Sequence, residues 1–160
     1  MKTLEKQSVI HNTFVIERSY PVPPERVFNA FTDPAKKRRW YVESVHNEIE
    51  HYELDFRVGG KESARFRFKE GSPVAGLTCI NEGGHLDIVP NQRIVIASTM
   101  NIGGRCISAS LSTFELLATD KGTDLIFTHQ GAFFEGADGP KMREEGWSKL
   151  LERLGTELAR

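Results

Sequence analysis

No stretch of this 160-residue sequence approaches the ~20 consecutive apolar residues that a membrane-spanning helix requires, so membrane insertion is not expected. The opening Met1-Lys2-Thr3-Leu4-Glu5-Lys6-Gln7 holds no apolar signal core, and export is not expected either. Cysteine is scarce. Cys79 and Cys106 are the only two, and neither belongs to a C-x-x-C pair. A secreted disulfide framework needs a denser set, so a reducing cytoplasm is the expected compartment. An excess of one charge is also lacking: 21 basic residues stand against 22 acidic ones, for a formal net charge of -1. Such a chain exerts no general pull on nucleic acid or anionic lipid, and no nucleic-acid partner is expected. Gly-x-Ser-x-Gly and the zinc-protease motif are absent. The glycine pairs lack the strand-to-helix setting of a phosphate loop, so no cofactor is expected.

What is present suits one domain. A chain of this length buries roughly 68–70% of its unfolded surface without staples. No repeat or linker divides it; residues 1–10 are expected to be a flexible lead-in and 11–160 a single domain. Alternation over His11–Tyr20 predicts a first strand. The Pro21-Val22-Pro23-Pro24 run ends it and can open a helix carrying Val27, Phe28 and Phe31. Asp33-Pro34 predicts an N-cap and a second short helix to about Trp40. Strands broken by glycine follow: Glu53–Val58, a stretch around Phe66 and Phe68, about 74–89, Arg93–Met100, Cys106–Ala118 and Thr123–Phe133. Gly83-Gly84 predicts a bulge in the longest of these. A helix of about 20 residues, or about 30 Å, opens at Asp138-Gly139-Pro140, with Met142, Trp147, Leu150, Leu151, Leu154 and Leu158 on one face. Strands in series capped by a helix predict an α+β fold: a curved seven-stranded antiparallel sheet wrapped around a long C-terminal helix, with two short helices between strands 1 and 2.

A coiled sheet closing on one helix is expected to leave an apolar pocket. Alternation aims Phe56, Phe66, Phe68, Ile94, Ile96, Phe114, Leu125 and Phe127 inward, with Trp147 and Leu151 facing them and Trp40 nearby. The same phase carries Ser108, Ser110 and Ser112 on one strand, Ser98 and Met100 on another, and His129 on the last. Small hydroxyl residues fill little volume, so this pattern favours a cavity with sparse polar groups over solid packing. The expected ligand-binding set is therefore Trp40, Phe56, Phe66, Phe68, Ile96, Ser98, Met100, Ser110, Ser112, Phe114, Phe127, His129, Trp147 and Leu151. His129 is the candidate for acid–base chemistry, against the alternative of a structural histidine. His46, Glu48 and Glu50 would share a strand face, but their spacing matches no familiar zinc site, and an exposed polar edge explains them better. Lys36-Lys37-Arg38-Arg39 reads as a solvated helix face, and Arg65, Arg67 and Lys69 lie on the outer face of the sheet.

The segment Arg18-Ser19-Tyr20-Pro21-Val22-Pro23-Pro24-Glu25-Arg26-Val27-Phe28-Asn29-Ala30-Phe31-Thr32-Asp33-Pro34 resembles the entry of the helix-grip superfamily, also called START-like or SRPBCC. Trp40, Asp55-Phe56-Arg57-Val58-Gly59-Gly60, Ile88-Val89-Pro90-Asn91-Gln92-Arg93-Ile94-Val95, Gly122-Thr123-Asp124-Leu125, His129 and Gly146-Trp147 are similar to the subgroup named for the activator of heat-shock protein 90 ATPase. The likeness runs from about Phe14 to Leu158. It implies the fold above and a hydrophobic cavity under the C-terminal helix. The expected function is binding of a small aromatic or lipid-like molecule, as carrier or sensor. The alternatives it leaves open are a co-chaperone-like modulator of a heat-shock ATPase, with a chaperone partner and a place in stress response, and a polyketide-cyclase-like enzyme using the same cavity. The chain is expected to be a monomer or a homodimer, the latter through Val95, Ala97 and Ile126 on the outer face.

Overall fold

A computed structural model describes residues 9–160. Most of the lead-in expected over residues 1–10 lies outside the described residues, and Ile10 already belongs to strand β1 (Ile10–Tyr20). After the proline run come α1 (Pro24–Thr32) and α2 (Pro34–Lys37). Asp33 separates them in an extended conformation, and its carboxylate accepts from the amides of Ala35 at 2.9 Å and Lys36 at 3.3 Å. This is the expected cap: it satisfies two helix-start donors that would otherwise face water. The chain does not stop at Trp40 but continues through a wider π-helical turn, Arg38–Val42.

Six strands then run as a meander: β2 (Asn47–Leu54), β3 (Lys61–Phe68), β4 (Thr78–Val89), β5 (Arg93–Ile102), β6 (Arg105–Thr119) and β7 (Gly122–Phe133). β1 closes the order by pairing with β7, giving one antiparallel seven-stranded sheet, β1-β7-β6-β5-β4-β3-β2. The α+β helix-grip architecture is as expected, with three departures of detail. Glu53–Val58 is the end of β2 plus a loop, because the hairpin turns between Leu54 and Lys61. β4 begins at Thr78, so residues 69–77 form a connection rather than strand. The bulge falls between His85 and Asp87, and pairing with β5 is unbroken across Gly83 and Gly84. Gly83 serves a different purpose: a Cβ there would lie 2.8 Å from Cδ1 of Ile96, so the missing side chain is the space that Ile96 occupies.

The last helix, α3 (Pro140–Leu158), lies over the inner face of the sheet, and its two halves are held differently. The C-terminal half is clamped. Leu151, Leu154 and Leu158 are buried with Phe14, Ile16, Tyr20 and Val27 in the main core. The Tyr20 hydroxyl donates to the Leu151 carbonyl at 2.7 Å, and Gly155 lets the Tyr20 ring approach, since a Cβ there would sit 3.3 Å from it. Arg39 donates twice to the Glu157 carboxylate, at 2.7 and 2.9 Å. The N-terminal half buries far less. Met142, expected on the packed stripe, is 61% exposed. The stripe assumed an apolar floor beneath the whole helix, and the sheet supplies bulk only beneath its second half.

Candidate functional site

Strand register explains that gap. Bulky side chains cross the sheet in one row, with Phe127 opposite Phe114 and Phe114 opposite Ile94. The next row is His129, Ser112 and Ile96, and the one after it Gly131, Ser110, Ser98 and Gly83. Two rows on from the phenylalanines, therefore, almost no side-chain volume rises from the sheet. The helix passes over this recess and roofs a half-open cavity of about 600 Å³. The helical wall consists of Met142, Arg143, Gly146, Trp147, Leu150 and Arg153, spaced as one face. Phe66 and Phe68 on β3 and Met100 on β5 form the opposite, apolar wall, while Tyr41 and Val42 enter from the π-helical turn. Ser72–Val74 of the β3–β4 connection and Gly136–Asp138 before α3 also line the cavity.

The polar groups in the wall are few and mostly engaged with one another. Arg143, 7% exposed, donates to both oxygens of Asp138 at 2.8 and 2.7 Å and to the Ser108 hydroxyl at 3.0 Å. That arrangement ties the start of α3 to β6 and makes the deep guanidinium part of a neutral pair. The Ser98 and Ser110 hydroxyls share a hydrogen bond of 3.2 Å. His129 is 1% exposed and stacks on Phe14, centroids 4.6 Å apart at 8°. Gly131 makes this possible, because a Cβ there would meet the His129 and Phe133 rings, each at 2.9 Å. Nδ1 of His129 is buried without a hydrogen-bond partner among the described residues. Burial, followed by the charge of Arg143, holds its pKa down to about 4. The ring is thus neutral near pH 7. No carboxylate bonds to it among the described residues, and as a base it is weak, so the geometry favours a structural histidine in the cavity wall. Cys79 lines the same space, but burial pushes its thiol up to about 12, which leaves it protonated and unreactive.

The fourteen residues expected to meet a ligand divide into three groups. Phe66, Phe68, Ser98, Met100, Ser110, Ser112, His129 and Trp147 line the large cavity. Ile96 and Phe114 reach only a side void of about 30 Å³, near the size of one water. Trp40, Phe56, Phe127 and Leu151 do not line it at all. Trp40 is locked in the core, its indole N–H donating to the Ala30 carbonyl at 2.8 Å. Phe56 leaves the sheet in the β2–β3 loop and packs on Phe28 and His85 instead. Phe127 and Leu151 are fully buried in the main core, where the clamped half of α3 meets the sheet. Trp147 stands on the border. Its ring lies 4.4 Å from that of Phe127 on one side and lines the cavity on the other. Alternation identifies the inward face of a strand, but not whether the helix above it stands close or apart.

Sequence reading missed Tyr41, Asp138, Arg143 and Arg153 as wall residues. The signal was available for the last two: Arg143 lies one helical turn before Trp147 and Arg153 three residues after Leu150, but as charged residues they read as solvent-facing. It also misjudged Lys37. This residue of the basic run is 6% exposed; its ammonium donates to both Glu62 oxygens at 3.0 Å and lies 4.4 Å from the Tyr41 ring centre. Glu62 has the inward phase of β3 and accepts a 2.6 Å bond from Tyr52 as well. A buried carboxylate needs such partners, so the short helix turns one lysine inward. Glu48 pairs with Arg67 on the outer face at 2.9 Å, and a bulge between Ile49 and His51 breaks the alternation assumed for the His46–Glu50 cluster. No group of three or more metal-ligating side chains occurs among the described residues. No helix among them is long and apolar enough to cross a membrane.

Comparison with known proteins fits this geometry. A family model described as Activator of Hsp90 ATPase homolog 1-like protein matches residues 21–159. The solved structure of the Mll3558 protein from Rhizobium loti is 48% identical, with a TM-score of 0.83 over 94% of this chain and 99% of that one. An uncharacterised protein from Rhizobium leguminosarum is 37% identical, with a TM-score of 0.88 over 96% and 97%. An AHSA1-like protein from Aeromonas hydrophila, at 18% identity and a TM-score of 0.66 over 92% of each chain, shares the fold. No curated protein matches the chain.

Proposed function

We propose that this chain, which belongs to the Activator of Hsp90 ATPase homolog 1-like protein family, binds one small, largely apolar molecule between the sheet and α3, as a carrier or sensor. The observation that supports this reading is the space of about 600 Å³ walled by Phe66, Phe68, Met100, Trp147 and Leu150. Sites for small molecules commonly enclose roughly 300–1,000 Å³ and are apolar with a few placed polar groups. An apolar occupant gains dispersion contacts with these side chains and takes their apolar surface out of water. Binding is favoured over turnover because the one histidine in the wall is neutral, lacks a carboxylate partner and is wedged between aromatic rings.

Native mass spectrometry of gently purified protein is the direct test, with retained small-molecule mass as the expected result. Trp147 supplies a second readout, since an occupant would touch its indole. A ligand at a hundred times its Kd stabilises the native state by about 2.7 kcal/mol. For a protein of this size that raises Tm by roughly 5–10 °C. No retained mass, together with unchanged Trp147 emission and Tm across a broad panel of apolar compounds, would refute the proposal.

A further inference from the structure

Three of the residues lining the cavity carry charge at neutral pH: Asp138, Arg143 and Arg153. The first two cancel, at 2.7 and 2.8 Å. Arg153 is half-buried, and its guanidinium donates to the Arg39 carbonyl at 2.8 Å. No carboxylate pairs with it among the described residues. Of the acidic groups around it, Glu157 is held by Arg39 at 2.7 Å, and Glu43, whose charge favours the Arg153 cation, makes no hydrogen bond or ion pair to it and lies 3.7 Å from Arg38. The cavity therefore carries one net positive charge, on a guanidinium that burial has partly stripped of water. A desolvated cation without a counter-ion is costly, and an anion delivered by the ligand removes that cost.

We infer that the molecule held in this cavity is an apolar carboxylic acid whose carboxylate meets Arg153 at one end of the α3 wall. The inference rests on the binding role proposed above and narrows its ligand. A carboxylate matches the planar guanidinium fork, whose remaining donors are available once the Arg39 carbonyl has taken one. The apolar body then lies along Leu150 and Trp147, with Phe66, Phe68 and Met100 opposite. Ten residues of helix separate Arg153 from Arg143, about 15 Å, which bounds the body's length. The far end meets the neutral Arg143–Asp138 pair, so a second charge on the ligand finds no counter-ion there.

Two matched pairs of probes test this: decanoate against decanol, and naphthalene-2-carboxylate against naphthalene-2-carboxamide. Each is titrated into the full chain by isothermal titration calorimetry, in wild type, Arg153→Gln and Arg153→Lys. In wild type the acid of at least one pair is expected to bind roughly tenfold tighter or more than its neutral partner, the worth of a charge-assisted hydrogen bond. Arg153→Gln removes that preference, so that acid and neutral compound bind alike in the variant. Arg153→Lys, which keeps the charge without the fork, retains part of the preference. Equal affinity within both pairs in wild type overturns the inference and leaves the binding role standing. A preference for acid that survives Arg153→Gln overturns the assignment to Arg153. If none of the four compounds binds, the inference falls, while the binding role stands or falls by retained mass and the broad panel above.

Discussion

Gly146 links the stability of α3 to the openness of the cavity, and substituting it tests both. It lies in the second turn of the helix, is absent from the glycines with positive φ, and faces the cavity beside Trp147. A Cβ built there meets no atom within 4 Å. Glycine in a helix interior costs about 0.5–1 kcal/mol relative to alanine, through backbone entropy alone. With no clash to offset it, Gly146→Ala should gain about that amount, raising Tm by roughly 1–4 °C for a chain of this length. Gly146→Phe at the same position sends a ring into the cavity. An occupant would then be overpacked by about 1–3 kcal/mol, so affinity should fall roughly fivefold or more. Thermal and urea unfolding by circular dichroism measures the first effect, and titration of Trp147 emission with any compound that the wild type binds measures the second. A loss of stability in Gly146→Ala would mean that the helix sits closer to the sheet than described. Unchanged affinity in Gly146→Phe would place the ligand somewhere other than this recess.

Two further outcomes follow from buried charge. Lys37→Met strands the Glu62 carboxylate with only the Tyr52 hydroxyl to satisfy it, and is expected to cost about 3–5 kcal/mol in urea unfolding. The Lys37→Met/Glu62→Leu double variant should recover much of that loss; a single variant within 0.5 kcal/mol of wild type would contradict the burial of the pair. His129, held down to about 4 from 6.5, refuses a proton that the unfolded chain accepts, so stability should fall as pH drops from about 6.5 to about 4. At 1.36 kcal/mol per pH unit its share is up to about 3 kcal/mol, less where the cavity admits water. His129→Leu should flatten that part of the profile, and an unchanged slope between pH 7 and 4.5 would show that the ring is solvated.

The alternation of Ser108, Ser110 and Ser112, of Ser98 and Met100, and of Phe127 and His129 was enough to assign the inner face of the sheet, because strand phase is a local property of the backbone. Asp33-Pro34 and Asp138-Gly139-Pro140 likewise marked helix starts through chemistry contained in a few residues. The family resemblance rested on the same local signals in order along the chain. What no local signal carries is distance between elements. Whether Phe114 and Phe127 bordered a hollow or filled one depended on where α3 stood above them, and that was set by Tyr20, Gly155 and the Arg39–Glu157 pair, which join segments more than a hundred residues apart. The inward turn of Lys37 depended on Glu62 having a buried phase, and the place of Arg143 and Arg153 in the wall on the recess beside them. Sequence periodicity thus determined which faces point inward. Only tertiary packing decided how far apart those faces stand and which charges remain unpaired between them, because both are sums over contacts that the chain makes with distant parts of itself.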